Sequence, residues 1–108
     1  GTHDNDTTKG WYTARTAHER EEMHRYLGTS GEDGVGDLLR AALMSVADMA
    51  IIPLQDLLRL DSAARMNIPG TPSGNWEWRF TWEMIPPDLI ETLRQQLGRY
   101  GRIQRGAP

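Results

Sequence analysis

Near the start of the chain, His3, Asp4, Asn5 and Asp6 place an imidazole, an amide and two carboxylates within four consecutive residues. An ionised carboxylate accepts hydrogen bonds from two hydroxyls at once, and an imidazole beside it supplies a donor. Such a pair can grip the vicinal hydroxyls of a sugar. The same groups could hold a cation, which opens the reading of a small metal-dependent hydrolase built on His3, Asp4 and Asp6. The plain alternative is an Asx-rich turn that satisfies its own backbone. Asn67 opens the Pro/Gly loop that runs to Asn75, as a ligand contact or as a turn residue. Trp76, Trp78, Phe80 and Trp82 alternate at period 2, and their flat faces could stack on sugar rings or pack a core. Trp11 carries the same ambiguity. His18 and His24 are expected on the surface, and Glu19, Glu21 and Glu22 on a solvated helix face. A glycine-rich phosphate loop followed by Lys-Ser/Thr is absent from the sequence, as is a Gly-x-Ser-x-Gly elbow.

The elements that must position these groups are mostly helical. Residues 1–12 are polar and turn-like. Thr16 followed three residues later by Glu19 forms a capping box, which predicts a helix over about Ala17 to Leu27 with Gly28 as its stop. A glycine-rich loop follows to Gly36. Val35, Leu38, Leu39, Ala42, Leu43 and Val46 then repeat at helical period. Met49-Ala50-Ile51-Ile52, closed by Pro53, reads as a strand buried on both faces; the rival reading extends the preceding helix through Ala50. Leu54 to Leu60 suits a short helix. Pro86-Pro87-Asp88 opens a last helix with Leu89, Ile90, Leu93 and Leu97 as its apolar stripe. A strand buried on both faces needs neighbouring strands and two covering layers. One such strand and one aromatic extended segment are too few, so the chain reads as a slice of an α/β protein.

Composition narrows the function classes. At 108 residues, 38% hydrophobic and 25% charged, the chain is globular and of single-domain length, spanning 1–108. A net charge of -3 gives no electrostatic reason to expect nucleic acid or an acidic membrane as partner. The local run Arg94, Arg99, Arg102 and Arg105 reads as a solvated helix end, where cations suit the helix dipole. With no cysteine, disulfides and thiolate metal sites are excluded, and a reducing compartment, hence a cytoplasmic location, is expected. No apolar run approaches the roughly 20 residues that span a bilayer. A first residue of Gly rather than Met points to truncation or processing.

The segment Gly1-Thr2-His3-Asp4-Asn5-Asp6-Thr7-Thr8, followed by Gly10-Trp11-Tyr12, resembles the region after barrel strand seven of 4-α-glucanotransferases (amylomaltases or disproportionating enzymes, glycoside hydrolase family 77). Ser45-Val46-Ala47, Pro53-Leu54-Gln55-Asp56, Ala64-Arg65-Met66-Asn67 and Pro69 through Arg79 match the same family in the same order. The resemblance implies an α/β fold: the C-terminal fragment of a (β/α)8 barrel, from the end of strand seven through strand eight at about Met49 to Ile52 and the closing helices. It implies retaining transfer of α-1,4-glucan segments, with no cofactor and no metal. Asp4 would be the carboxylate that stabilises the transition state, and His3 and Asn67 would bind the same sugar. Asp6, Arg65 and the Trp76/Trp78 pair match family motifs and are expected to serve structure. The nucleophile and the acid/base are expected upstream, so the 108 residues alone should be inactive. A stand-alone binding module using the aromatic stripe is the competing reading, alongside the metal-dependent hydrolase.

Overall fold

The computed structural model describes residues 4–103. Five α-helices appear in chain order: α1 (Thr8–Ala14), α2 (Ala17–Leu27), α3 (Gly34–Met44), α4 (Leu54–Leu57) and α5 (Leu89–Arg99), with 3-10 turns over Ser62–Ala64 and Trp82–Met84. α3 is the hub, and α1, α2, α4 and α5 each pack on it. Its apolar stripe explains this, because Val35 and Leu43, two turns apart on one face, are both buried.

Local chemistry sets the helix ends. In α2 the Thr16 hydroxyl accepts from the Glu19 amide while Glu19 accepts from the Thr16 amide, closing the expected capping box. Gly28 ends the helix in the left-handed region at φ 69°, where a glycine carries no Cβ penalty. Asp33 caps α3 by accepting from the Gly36 amide. At the other end of α3, Arg102 donates to the carbonyls of Leu43 (2.7 Å), Ala47 (3.0 Å) and Ser45 (3.3 Å). It thus serves groups the helix leaves without intrahelical partners. Arg102 is therefore a half-buried clamp rather than part of a solvated basic tail; Arg105 lies outside the described residues.

Several expectations need correction. The turn-like opening contains a helix, α1, capped by Thr7. The helix at Leu54 stops at Leu57, and Arg59 then takes a left-handed φ of 55°. α3 stops at Met44, with Ser45 as its cap, so Val46 leaves the stripe and stands fully exposed, and the helix does not run on through Ala50.

The strand expected over Met49–Ile52 is not formed, and there is no β-strand among the described residues. Met49 and Ile51 are 74% and 77% exposed. Their apolar pattern suits a buried strand, but an extended segment becomes a strand only beside a backbone that exchanges hydrogen bonds with it. The described chain offers none there. The remaining core is small: among the described residues, Val35, Leu43 and Ala64 are the buried apolar ones. The radius of gyration is 15.4 Å, against about 13 Å for a compact domain of this length.

Candidate sugar-binding site

Three contacts set the N-terminal segment against the segment that follows α4. First, Asp56 of α4 is buried and accepts from the Thr8 amide (2.8 Å) and the Thr8 hydroxyl (2.7 Å). This fixes the first turn of α1, where a carboxylate also suits the helix dipole. Second, Asp6 accepts from the Ser62 hydroxyl at 2.8 Å and from the Thr7 amide at 2.7 Å. Gly10 makes that approach possible: a Cβ there would press on Ser62 Oγ and stand 2.6 Å from both Asp6 carboxylate oxygens. Third, the Ser62–Ala64 turn, capped by Asp61 and held by Gln55 Nε2 donating to the Ala64 carbonyl, delivers Arg65 and Asn67.

The two segments run in opposite senses, so pairing Asp6 with Ser62 brings Asp4 to Arg65 and Asn67. Asn67 Nδ2 donates to Asp4 Oδ1 at 2.7 Å. An ionised carboxylate only accepts, which orients the Asn67 amide with its nitrogen toward Asp4. Arg65 Nη2 donates to the Asp4 carbonyl at 2.8 Å, and Arg65 Nε to the Asn67 carbonyl at 2.9 Å. Beyond Asn67 the loop is closed on itself: Asn75 Oδ1 accepts from the Ile68 amide and Nδ2 donates to Thr71. Trp76 follows with φ 62° and its amide 2.6 Å from the Met66 carbonyl.

Two of the three residues expected to bind sugar, Asp4 and Asn67, thus meet across 63 positions of sequence; His3, the third, lies outside the described residues. Asp4 is exposed and Asn67 half-buried, so polar groups meet where solvent and a ligand can reach them. Asp4 and Asp6 face different partners, and among the described residues no three His, Asp or Glu side chains gather to hold a metal ion. A cavity of about 670 Å³ opens nearby between α1, α3 and residues 51–56, with Trp11, Leu38, Ile52 and Met66 in its walls. Neither Asp4 nor Asn67 lines it, so sugar chemistry is not assigned to it.

The aromatic stripe holds in part. Trp78 and Phe80 stack with centroids 6.4 Å apart, and Phe80 meets Trp82 edge-on at 5.4 Å. Residues 77–81 form no strand, and Trp76, turned aside by its left-handed backbone, is 52% exposed rather than core. His24 departs from its expected surface place. Its Nε2 lies 2.7 Å from the Tyr12 hydroxyl and its Nδ1 2.8 Å from Thr29 Oγ1 and 3.5 Å from Asp37 Oδ2. Which ring nitrogen donates follows the tautomer, and both the Tyr12 and Thr29 hydroxyls can serve as donor or acceptor to it. This network ties α1 to α2 and α3, and sequence spacing alone gives no sign of it.

A family model described as 4-alpha-glucanotransferase matches residues 1–85. The 4-alpha-glucanotransferase of Thermus thermophilus is 48% identical over 100 residues, covering 87% of this chain and 20% of that protein. That of Synechocystis is 51% identical over 103 residues, 94% of this chain and 20% of its own length. A solved structure, amylomaltase from Streptococcus agalactiae in complex with acarbose, superposes with a TM-score of 0.89 at 30% identity, over 96% of this chain and 21% of that one. The chain spans about one fifth of the length of these relatives.

Proposed function

The chain belongs to the 4-alpha-glucanotransferase family, and on that premise we propose that it is part of an enzyme transferring α-1,4-glucan segments to acceptor sugars, with Asp4 as the carboxylate that stabilises the transition state. The observation that carries this reading is the 2.7 Å bond from Asn67 to Asp4, which joins the two expected sugar-binding side chains of the described residues at one exposed point.

In this reading the reaction is a retaining double displacement. A carboxylate attacks the anomeric carbon, and a second carboxylic acid protonates the departing sugar. The same group then acts as base on the 4-hydroxyl of the acceptor glucan. Both groups are supplied by a longer polypeptide, on the earlier strands of a (β/α)8 barrel to which this segment contributes the end of strand seven, the Met49–Ile52 segment that pairs as strand eight only beside those strands, and the closing helices. Active sites of such barrels lie at the C-terminal ends of the strands. Asp4 accepts hydrogen bonds from hydroxyls of the donor sugar, and its negative charge interacts more strongly as positive charge develops on the ring. His3 donates to the same sugar, and Asn67 holds Asp4 and contacts the sugar beside it. The substrates are maltooligosaccharides or longer α-1,4-glucans.

The test is Asp4→Asn in the full-length polypeptide. Asparagine keeps the shape and removes the charge, so maltose disproportionation should nearly vanish while the thermal transition stays in place. Wild-type turnover by that variant would refute the role.

A further inference from the structure

Arg65 places a permanent positive charge beside the site and directs two of its donors to backbone carbonyls. The carbonyls belong to Asp4 and Asn67, the residues whose side chains meet. Nε and one Nη lie on a single edge of the planar guanidinium, so the two acceptors are held at a fixed spacing. We infer that Arg65 is a positioning residue of the sugar site: it sets the separation and orientation of the Asp4 and Asn67 backbones and hence the aim of the Asp4 carboxylate. The inference rests on the function proposed above.

The physical case is one of rigidity. Asp4 is exposed and lies in the irregular segment four residues before α1 begins, and an exposed connecting segment is ordinarily more mobile than the elements it joins. Three links counter this: Asp6 to Ser62, Arg65 to the Asp4 carbonyl, and Asn67 to the Asp4 carboxylate. The Asp6 link lies two residues away and does not fix the Asp4 peptide itself. The Asn67 link aims the side chain only if its own backbone is fixed. Arg65 bonds to both backbones, so it alone among the three couples one to the other. A lysine carries the same charge, but its single ammonium on a flexible stem lacks the planar fork that spans both carbonyls. Arg65→Lys therefore tests geometry rather than charge.

The experiment compares Arg65→Lys, Arg65→Ala, Asn67→Ala and the Arg65→Ala/Asn67→Ala double variant in the full-length polypeptide, with kcat and KM for maltotriose disproportionation and a thermal melt for each. Misplacing a catalytic group by about 1 Å costs on the order of a hundredfold in rate. Arg65→Ala should lower kcat about tenfold to a hundredfold while KM stays within about threefold. Arg65→Lys should fall between wild type and Arg65→Ala. The loss in the double variant should be clearly smaller than the product of the two single losses, because both residues act through Asp4. Wild-type kcat in Arg65→Lys and Arg65→Ala overturns the inference. Multiplicative losses, or a kcat that falls only in step with a collapsed melt while folded Arg65→Lys is fully active, overturn it equally. Failure of the underlying reading looks different: Asp4→Asn itself would retain turnover.

Discussion

Asn67 donates its side-chain amide to Asp4 Oδ1 at 2.7 Å, and this bond leads to opposite consequences for two substitutions. Asn67→Ala removes a hydrogen bond to a charged group, worth about 1.5–3 kcal/mol, and should cost about tenfold to a hundredfold in kcat of the full-length polypeptide. Asn67→Asp instead sets a second carboxylate against the first. Two such groups cannot both stay ionised at hydrogen-bond distance, so the pair binds a proton at higher pH than a lone aspartate. A role that needs Asp4 ionised then predicts that the acid limb of the kcat profile moves to higher pH in Asn67→Asp than in the unsubstituted enzyme. An unmoved acid limb in Asn67→Asp would count against an ionised carboxylate at this position in the reaction.

Asp33 faces Arg59 with two contacts, Nη2 to Oδ2 at 2.9 Å and Nε to Oδ1 at 3.2 Å. The Arg59 hydrogen bonds, with help from the Gly36 amide, hold the Asp33 carboxyl below its ordinary range. A lowered folded-state value means the stabilisation is complete above the unfolded value of about 3.9 and is lost as pH falls through the folded one. Asp33→Asn keeps a capping acceptor for α3 but removes the charge. Both partners are about half exposed, so the ion pair is worth only about 0.2–1 kcal/mol. Denaturant titration of the full-length polypeptide should show that deficit unchanged from pH 8 to about 5 and closing below about 4. Asp33→Ala also loses the cap and should fall about 1 kcal/mol further. A deficit that widens on acidification would contradict this assignment.

Gly10→Ala sets two effects against each other. Alanine gains about 1 kcal/mol over glycine inside a helix, which favours the variant in α1. Its Cβ would press on Ser62 Oγ and stand 2.6 Å from both Asp6 carboxylate oxygens. Overpacking of this kind costs about 1–3 kcal/mol. Relief requires parting Asp6 from Ser62, which also shifts the segment carrying Asp4. The variant should therefore lose both thermal stability and kcat in the full-length polypeptide. A gain in melting temperature with full activity would show that the segment gives way without cost.

What could be read from the sequence follows from how far each signal reaches along the chain. The α2 boundaries rest on Thr16, Glu19 and Gly28, all within the helix and its caps, and both ends are as the capping box and glycine predict. Most of the α3 stripe is equally local. The failures involve partners far away in sequence. α1 has a local cap in Thr7, but its polar sequence lacks an apolar stripe and its anchor is Asp56, 48 positions on. His24 is drawn inward by Tyr12 and Asp37, at spacings that mark no motif. Only the family resemblance links Asp4 with Asn67, since no local rule connects residues 63 apart. The Met49–Ile52 segment has a strand's composition, but ladder partners are supplied by other parts of a sheet and cannot be read from the segment.

The apolar surface leads to the last prediction, on the 108 residues as an isolated chain. Among the described residues, Val35, Leu43 and Ala64 are the buried apolar ones, whereas Met49, Ile51, Trp82 and Ile90 are mainly exposed. A small set of fully buried apolar side chains leaves little to hold five helices in one cooperative unit. Hydrogen bonds such as Asp56 to Thr8 supply geometry, yet their net contribution is about 0.5–1.5 kcal/mol each, because water competes for the same groups. Calorimetry on the isolated chain should therefore show a broad, low-enthalpy melt without a cooperative peak, and the isolated chain should not disproportionate maltodextrins. A sharp transition with equal calorimetric and van't Hoff enthalpies would mean that α1 to α5 form a self-sufficient core, and the interpretation of the exposed Met49–Ile52 segment as an unpaired barrel strand would have to be abandoned.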